Sequence, residues 1–305
     1  MFLTCLYDEG LSSSTVKGYR AALNTVFKAA GNLHLVSDCH VTDLIKAFGI
    51  ERPITRRLFP AWDLPLVLRS LRIAPYEPLH AALLQDITKK TVFLLALASG
   101  KRRGELAALI ADNLHLQFAR DNSKVTLIPD VMFRGKTQRS DSAALPWSIP
   151  ALTPFVGPTE LDRLMCPVRA LRWYLQKTST NPLRGPRSQL FLPYTDRAAK
   201  TTPAMISAWI CRTVWRAYTL EPENTDTNNA RVTAHEIRAF AASWSAFNHV
   251  PMEDVMRAAS WKNDTTFTTF YLKDLCHQTD GLYSLGPLVS GQQVVQRPVP
   301  NAQHP

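Results

Sequence analysis

The chain has 305 residues, enough for one large or two modest domains, and 46% of them are hydrophobic, enough to bury a full core. No run of about 18 apolar residues occurs, which argues against a membrane span. Thirty-five Lys+Arg against 25 Asp+Glu leave a net charge of +10, so a polyanionic partner is expected, nucleic acid foremost.

At the start of the chain, MFLTCLYDEG has neither the basic nor the long apolar segment of a secretion signal. A first helix is predicted over Ser14–Ala30, where Val16, Tyr19, Leu23, Val26, Phe27 and Ala30 form an apolar stripe between capping serines and Gly31. A second, Val41–Phe48, stops at Gly49, and the basic, proline-interrupted stretch that follows reads as a linker over residues 51–60. The larger part, residues 61–288, opens with candidate helices over Trp62–Arg72 and His80–Ala98. The second of these offers Leu83, Leu84, Ile87, Leu94, Leu95 and Ala98 to a core and ends at Ser99-Gly100. Leu114–Phe118 and Lys124–Ile128 alternate around a turn (ARDNS), predicting an antiparallel hairpin, with Leu145–Leu152 as a third strand. Helices return over Cys166–Lys177, Thr202–Tyr218, Thr233–Phe247, Met252–Ala259 and Thr265–Leu275, and residues 289–305 read as a flexible tail. The class is therefore α+β, predominantly α-helical with a small antiparallel sheet. Cys5, Cys39, Cys166, Cys211 and Cys276 are scattered without a Cys-x-x-Cys pair, against a disulfide framework or zinc finger, and the protein reads as intracellular.

Three segments carry candidate chemistry. Lys101-Arg102-Arg103-Gly104-Glu105-Leu106 follows a buried helix and places Arg102 beside a helix start, where backbone N–H groups favour an anion that a guanidinium fork can grip. In Thr233-Ala234-His235-Glu236-Ile237-Arg238, His235 and Arg238 are three apart and share a face beside a predicted core stripe of Ile237, Phe240, Ala241, Trp244 and Phe247. Finally, Phe267, Phe270 and Tyr271 follow Trp261 at helical spacing. Each piece alone is an ordinary polar turn, helix face or core aromatic.

Taken in order, these pieces resemble the tyrosine recombinase (phage integrase) family. RRGEL (Arg102–Leu106) is similar to its first arginine box and HEIR (His235–Arg238) to its second, with Trp261 and Tyr271 following, Tyr271 33 positions beyond Arg238. The segments FLLALASGKRRGELAAL, TAHEIRAFAASWSA and AASWKNDTTFTTFYLKD are most similar in wording to recombinases of DIRS-type retrotransposons. The resemblance implies a tyrosine recombinase catalytic fold and a DNA strand transferase that works without metal, ATP or other cofactor. Tyr271 would be the nucleophile, Arg102 and Arg238 the phosphate clamp, and His235 and Trp261 further phosphate contacts. Lys136, in a turn between the boxes, would be the general acid, with Lys124 as runner-up, and Glu105 a supporting partner. Lys101, Arg103, Arg134, Arg139, Lys262 and Lys273 would touch DNA. The expected partner is double-stranded DNA, bound by a homo-oligomer that forms a tetramer on two duplexes; no membrane is involved, and the compartment is nuclear if the host is eukaryotic.

The chain departs from the family pattern in three places. Ala239 stands where a histidine is usual, the Trp261–Tyr271 interval is one residue longer than the commonest one, and residues 1–50 leave room only for a truncated helical core-binding-like segment. Three other readings stay open. A metal-dependent nuclease would need a convergent carboxylate cluster. A DNA-binding protein could keep the fold without turnover, and a type IB topoisomerase would share the chemistry but relax DNA.

Overall fold

The computed structural model describes residues 1–33, 37–53, 62–135, 146–152, 160–194, 200–220, 232–247, 250–259, 261, 267–268 and 271–272. The chain divides into two compact units, Met1–Arg57 and Leu58–Pro305.

The first unit is built from α1 (Phe2–Asp8), α2 (Ser13–Ala29) and α3 (Cys39–Glu51). Ser12 caps α2 by accepting the Thr15 N–H, and Asp38 caps α3 by accepting that of Val41. The core is small: Leu3, Tyr7, Val16, Ile45 and Phe48, with the Tyr7 and Phe48 rings stacked at 3.9 Å. The predicted α2 stripe is only partly used. Val16 is fully buried, whereas Tyr19 and Val26 remain 44% and 62% exposed, because the two neighbouring helices cover only one end of it. Helix α1 was not foreseen; no side chain caps it.

The second unit opens with α4 (Leu64–Ser70), capped by Asp63 and carrying Pro65 in its first turn. Its centre is α5 (Leu84–Ser99), which packs against α8 (Pro167–Thr178), α9 (Pro203–Leu220) and α10 (Ala234–Phe247). Residues 86–88 and 90–96 of α5 are all buried, so the helix is surrounded rather than amphipathic. Ile87, Phe93 and Leu95 meet Leu171 and Tyr174 of α8, Trp209 and Val214 of α9, and Ile237 and Phe240 of α10 in one continuous core. The helix begins later than predicted. Leu83 is its N-cap and 63% exposed, and Ala98 also faces outward, so neither belongs to the core. Gly100 ends it at φ +59°, a left-handed conformation that glycine adopts without a Cβ penalty.

A short α6 (Arg103–Ala107) leads to the three-stranded antiparallel sheet β1 (Leu116–Phe118), β2 (Lys124–Leu127) and β3 (Trp147–Pro150), in the order β1-β2-β3. Register sets Leu116 opposite Leu127 and Trp147, and Phe118 opposite Val125 and Ile149, giving one apolar face on the core. On the other face Thr126 and Ser148 join their hydroxyls at 2.9 Å. Asn122 takes φ +58° in the predicted hairpin turn, a conformation asparagine tolerates. Helix α7 (Glu160–Met165), unforeseen in sequence, precedes α8, whose Cys166 cap and Pro167 start match the predicted boundary. After α10 comes α11 (Met252–Ala259) as predicted; of the expected helix over Thr265–Leu275, only residues 267, 268, 271 and 272 are described.

Among the described residues, no helix is long and apolar enough to cross a membrane, and no group of three or more His, Cys, Asp or Glu side chains could hold a metal ion.

Candidate active site

The site grows from the end of α5. The left-handed turn at Gly100 leaves that residue's carbonyl as an acceptor, and Arg238, from the first turns of α10, donates Nη1–H to it at 2.9 Å. Its Nη2 donates to the carbonyl of Ala259, the last residue of α11. One guanidinium thus ties together three segments that are far apart in sequence. Arg238 is only 2% exposed, among the most deeply buried large side chains of the unit. The sequence pattern set it beside the core stripe of α10; instead it lies within the buried seam. Trp244, expected in that stripe, is 37% exposed, and the side chain of Phe247 lies outside the described residues. Periodicity counts arginine as a surface residue, so it misses one held by carbonyls.

Around this guanidinium stand aromatic rings. Its carbon lies 4.7 Å from the Trp261 ring centroid and 5.4 Å from that of Tyr271, within cation–π range. Trp261 and Tyr271 are 4.5 Å apart at 45°, and Phe267 packs 5.5 Å behind Trp261. The His235 ring, on the exposed edge of α10, is 4.9 Å from Tyr271. Tyr271 is 8% exposed and its backbone is pinned twice: its N–H donates to the Phe267 carbonyl at 2.8 Å, and its own carbonyl accepts the Ser243 hydroxyl of α10 at 3.1 Å. Beneath these rings is a second, separate apolar cluster of Ala239, Ala242, Val255, Ala259, Trp261, Phe267, Tyr271 and Leu272. Ala239, the departure from the histidine usual at this position, is a packing residue of that cluster.

The electrostatics are unbalanced. Arg238 faces one carboxylate, Glu105, at 3.9 Å, too far for a hydrogen bond. Glu105 is engaged elsewhere, accepting the backbone N–H of Arg102 at 2.6 Å and so closing the first turn of α6. Burial, and after it repulsion from the half-buried Arg102, lowers the Arg238 guanidinium to about 10, with Tyr271 and Glu105 opposing. It stays charged at neutral pH. Two buried donors here, Arg238 Nε and Trp261 Nε1, have no hydrogen-bond partner among the described residues. Unsatisfied buried donors are expensive, and an anion seated between them would relieve both.

Lys101 is 8% exposed rather than a surface cation. Arg103 and Arg134 are exposed, and Arg134 donates to the carbonyls of Val131 and Phe133. Lys136, Arg139, Lys262 and Lys273 lie outside the described residues; Lys124, the runner-up to Lys136, is exposed at the start of β2. Ser243 was missed by sequence reasoning, since a hydroxyl on a helix face carries no signal of the carbonyl it will meet. A cleft of about 510 Å³, lined by Arg72, Glu77, His80, Glu160, Arg163 and Arg169 among others, shares no residue with this group. Within it Arg163 pairs with Glu160 and Arg169 with Glu77.

No protein-family model and no curated protein matches the chain in sequence. Solved structures do match in fold. A lambda integrase fragment (75–356), described as a dimer bound to a COC′ core site, is 15% identical with a TM-score of 0.53, over 92% of this chain and 81% of that one. The chain spans 65% of the longer lambda integrase chain. XerH site-specific recombinase, in a post-cleavage complex with a palindromic difH substrate, is 16% identical with a TM-score of 0.57, over 88% of this chain and 67% of that one. The Tn1549 transposon integrase (82–397), in complex with circular intermediate DNA, is 12% identical with a TM-score of 0.53, over 91% and 80%. A predominantly helical unit with a small antiparallel sheet and these likenesses give one conclusion: the chain has the fold of the tyrosine recombinases.

Proposed function

We propose that the protein is a site-specific DNA recombinase that cuts and rejoins DNA through a 3′-phosphotyrosine on Tyr271. The observation that carries this reading is the convergence of Tyr271 and Trp261 on the buried Arg238 guanidinium, with His235 against the Tyr271 ring, at ring and cation distances of 4.5–5.4 Å. A phenol is protonated at neutral pH and must lose its proton as it attacks phosphorus. His235, beside the Tyr271 ring, takes that proton. Arg102 and Arg238 hold the non-bridging oxygens and stabilise the charge that grows on them, an effect worth about 10²–10³ in rate per contact. Trp261 offers its indole N–H to the same phosphate. Glu105, by closing the turn at Arg102, is a positioning residue. The phosphotyrosine ester conserves the energy of the broken bond, so neither ATP nor metal is needed for rejoining.

The partner is double-stranded DNA, and the working assembly is a homo-oligomer, in keeping with the +10 charge and with the DNA-bound dimer and tetramer described for lambda integrase. Arg103 and Arg134 are exposed and are placed to approach the DNA backbone; Arg139, Lys262 and Lys273 join them on sequence grounds. The wording shared with DIRS-type elements supports an origin in a mobile element. Its work is then inside the cell, in the nucleus if the host is eukaryotic.

A nicked suicide substrate tests the reading. The parent protein forms a DNA adduct that resists boiling in detergent, and protease digestion leaves a peptide containing Tyr271 on a 3′-phosphate. Tyr271→Phe folds and binds DNA but forms no adduct. A Tyr271→Phe protein that still becomes linked to DNA ends the assignment.

A further inference from the structure

The cleft of about 510 Å³ walled by residues 72–80, α7 and α8 plays no part in the chemistry above. Its two carboxylates are both taken. Glu77 receives Lys90 and Arg169 on one oxygen and Arg169 and the Leu79 N–H on the other, which fills the roughly four lone-pair sites of a carboxylate. Glu160 is held by the Arg163 fork, at 2.7 Å on each oxygen. The donors of the cleft are not used up in the same way. Arg72 is half-buried in this wall, yet its side chain has no hydrogen bond or ion pair among the described residues, and the same is true of the Trp173 indole N–H and the His80 ring. A cavity with donors to spare and no carboxylate oxygen to match them suits a ligand that accepts.

We propose that this cleft binds a small phosphate monoester of mononucleotide size. Arg72 is the guanidinium left over once Arg163 and Arg169 have each taken a carboxylate, so the lining carries a positive charge of its own. A guanidinium fork fits two oxygens of a phosphate, and its charge is met by the anion. The uncommitted donors come from separate segments: Arg72 just past α4, His80 in the loop before α5, and Trp173 within α8. A carboxylate presents only two oxygens to such a set, whereas a phosphate monoester presents three, together with a charge near −2. The Trp173 ring with Pro78, Leu79 and Leu164 forms an apolar wall for the body of the ester. The volume lies within the range of about 300–1,000 Å³ found for small-molecule sites. A phosphate of duplex DNA is the poorer match, since a diester keeps only two free oxygens and a single charge. The cleft shares no residue with the group around Arg238, so this binding stands apart from the recombinase reading.

The test is calorimetric titration of the full chain with thymidine 5′-monophosphate, thymidine and inorganic phosphate. The monophosphate binds, inorganic phosphate binds more weakly for want of the apolar body, and thymidine gives no heat. Arg72→Gln weakens the monophosphate by about 10- to 100-fold. Its thermal midpoint stays that of the parent, because Arg72 holds nothing in the free protein. Trp173→Phe keeps an aromatic wall but loses the N–H, and weakens binding by about tenfold. Failure of the monophosphate to bind overturns the proposal, as does thymidine or inorganic phosphate binding equally well. Binding that survives Arg72→Gln but is lost in Arg238→Lys places the ester at the other site and also overturns it. An Arg72→Gln protein whose affinity for duplex DNA falls as far as its affinity for the monophosphate makes the cleft a contact for the DNA backbone, against the small ligand proposed.

Discussion

Two groups of buried charge lie along α5, separated by roughly 15 Å of helical rise between Lys90 and Gly100. In the first, Lys90 is fully buried and donates to Glu77 at 2.5 Å and to the Leu71 carbonyl at 2.7 Å, while Arg169 of α8 grips the same carboxylate at 2.7 and 3.1 Å. In the second, Arg238 is held by two carbonyls, sits 3.9 Å from Glu105, and shares its surroundings with Arg102 and Lys101. The two differ in where the compensating negative charge is found. Glu77 has both oxygens engaged by cations and burial, which would raise its pKa, is outweighed by Arg169 and Lys90, so it is held low. That group is complete and serves the fold. A guanidinium fixed by neutral carbonyls keeps its charge, which the proposed function assigns to a DNA phosphate.

Salt gives the largest separation between them. If about six to ten phosphates are contacted, raising salt from about 50 to 200 mM lowers DNA affinity by about 10³–10⁵. Thermal stability, which rests on buried pairs that ions screen poorly, moves little over the same range. Affinity that stays flat in a filter-binding titration breaks the comparison. Substitution gives the next separation. Glu77→Ala leaves Lys90 and Arg169 without their counter-charge and costs about 3–5 kcal/mol in denaturant unfolding, with cleavage per folded molecule unchanged. Arg238→Lys keeps a charge that the two carbonyls can accept but loses the planar fork, so adduct formation slows by about 10²–10³ with stability largely kept. A folded Glu77→Ala protein that cannot cleave, or an Arg238→Lys protein that cleaves normally, erases the distinction.

The smallest effect is a pH dependence. Burial lowers Lys90 from 10.5 to about 8, with Glu77 only partly restoring it. The folded protein releases this proton near pH 8 and the unfolded chain near 10.5, so between these values the unfolded state binds more protons and stability rises with pH. Lys90→Met removes that rise. Denaturation midpoints of parent and variant that run parallel across this window show that Lys90 does not titrate there.

Much of this was legible in the sequence where a local rule acts alone. The start of α8 at Cys166-Pro167, the span of α11 and the end of α5 at Gly100 each follow from a cap, a proline or a glycine. Helices α1 and α7 were not legible, since they are short and offer little periodicity. Arg102, His235, Trp261 and Tyr271 could be singled out as types at a spacing, but their mutual contacts depend on a fold that brings residues 100, 238 and 259 together. The same limit hid the first charge group: Glu77 and Arg169 are 92 positions apart, and no pattern in either neighbourhood announces the other. Arg238 was set beside the core stripe rather than within the buried seam because its partners are carbonyls, which every residue has.

On the proposed function, the tie that Arg238 makes between the carbonyls of Gly100 and Ala259 also bears on safety. A protein that breaks DNA is hazardous to its host while half-formed, because a nick made by an incomplete site has nothing to reseal it. Here Tyr271, the proposed nucleophile, the end of the central helix and the end of α11 meet at one guanidinium. A nascent or partly unfolded chain that has not closed this junction holds the nucleophile but no organised cation beside it. On the proposed function, competence to cut would be delayed until the chain has completed the same long-range contacts that make it a folded protein.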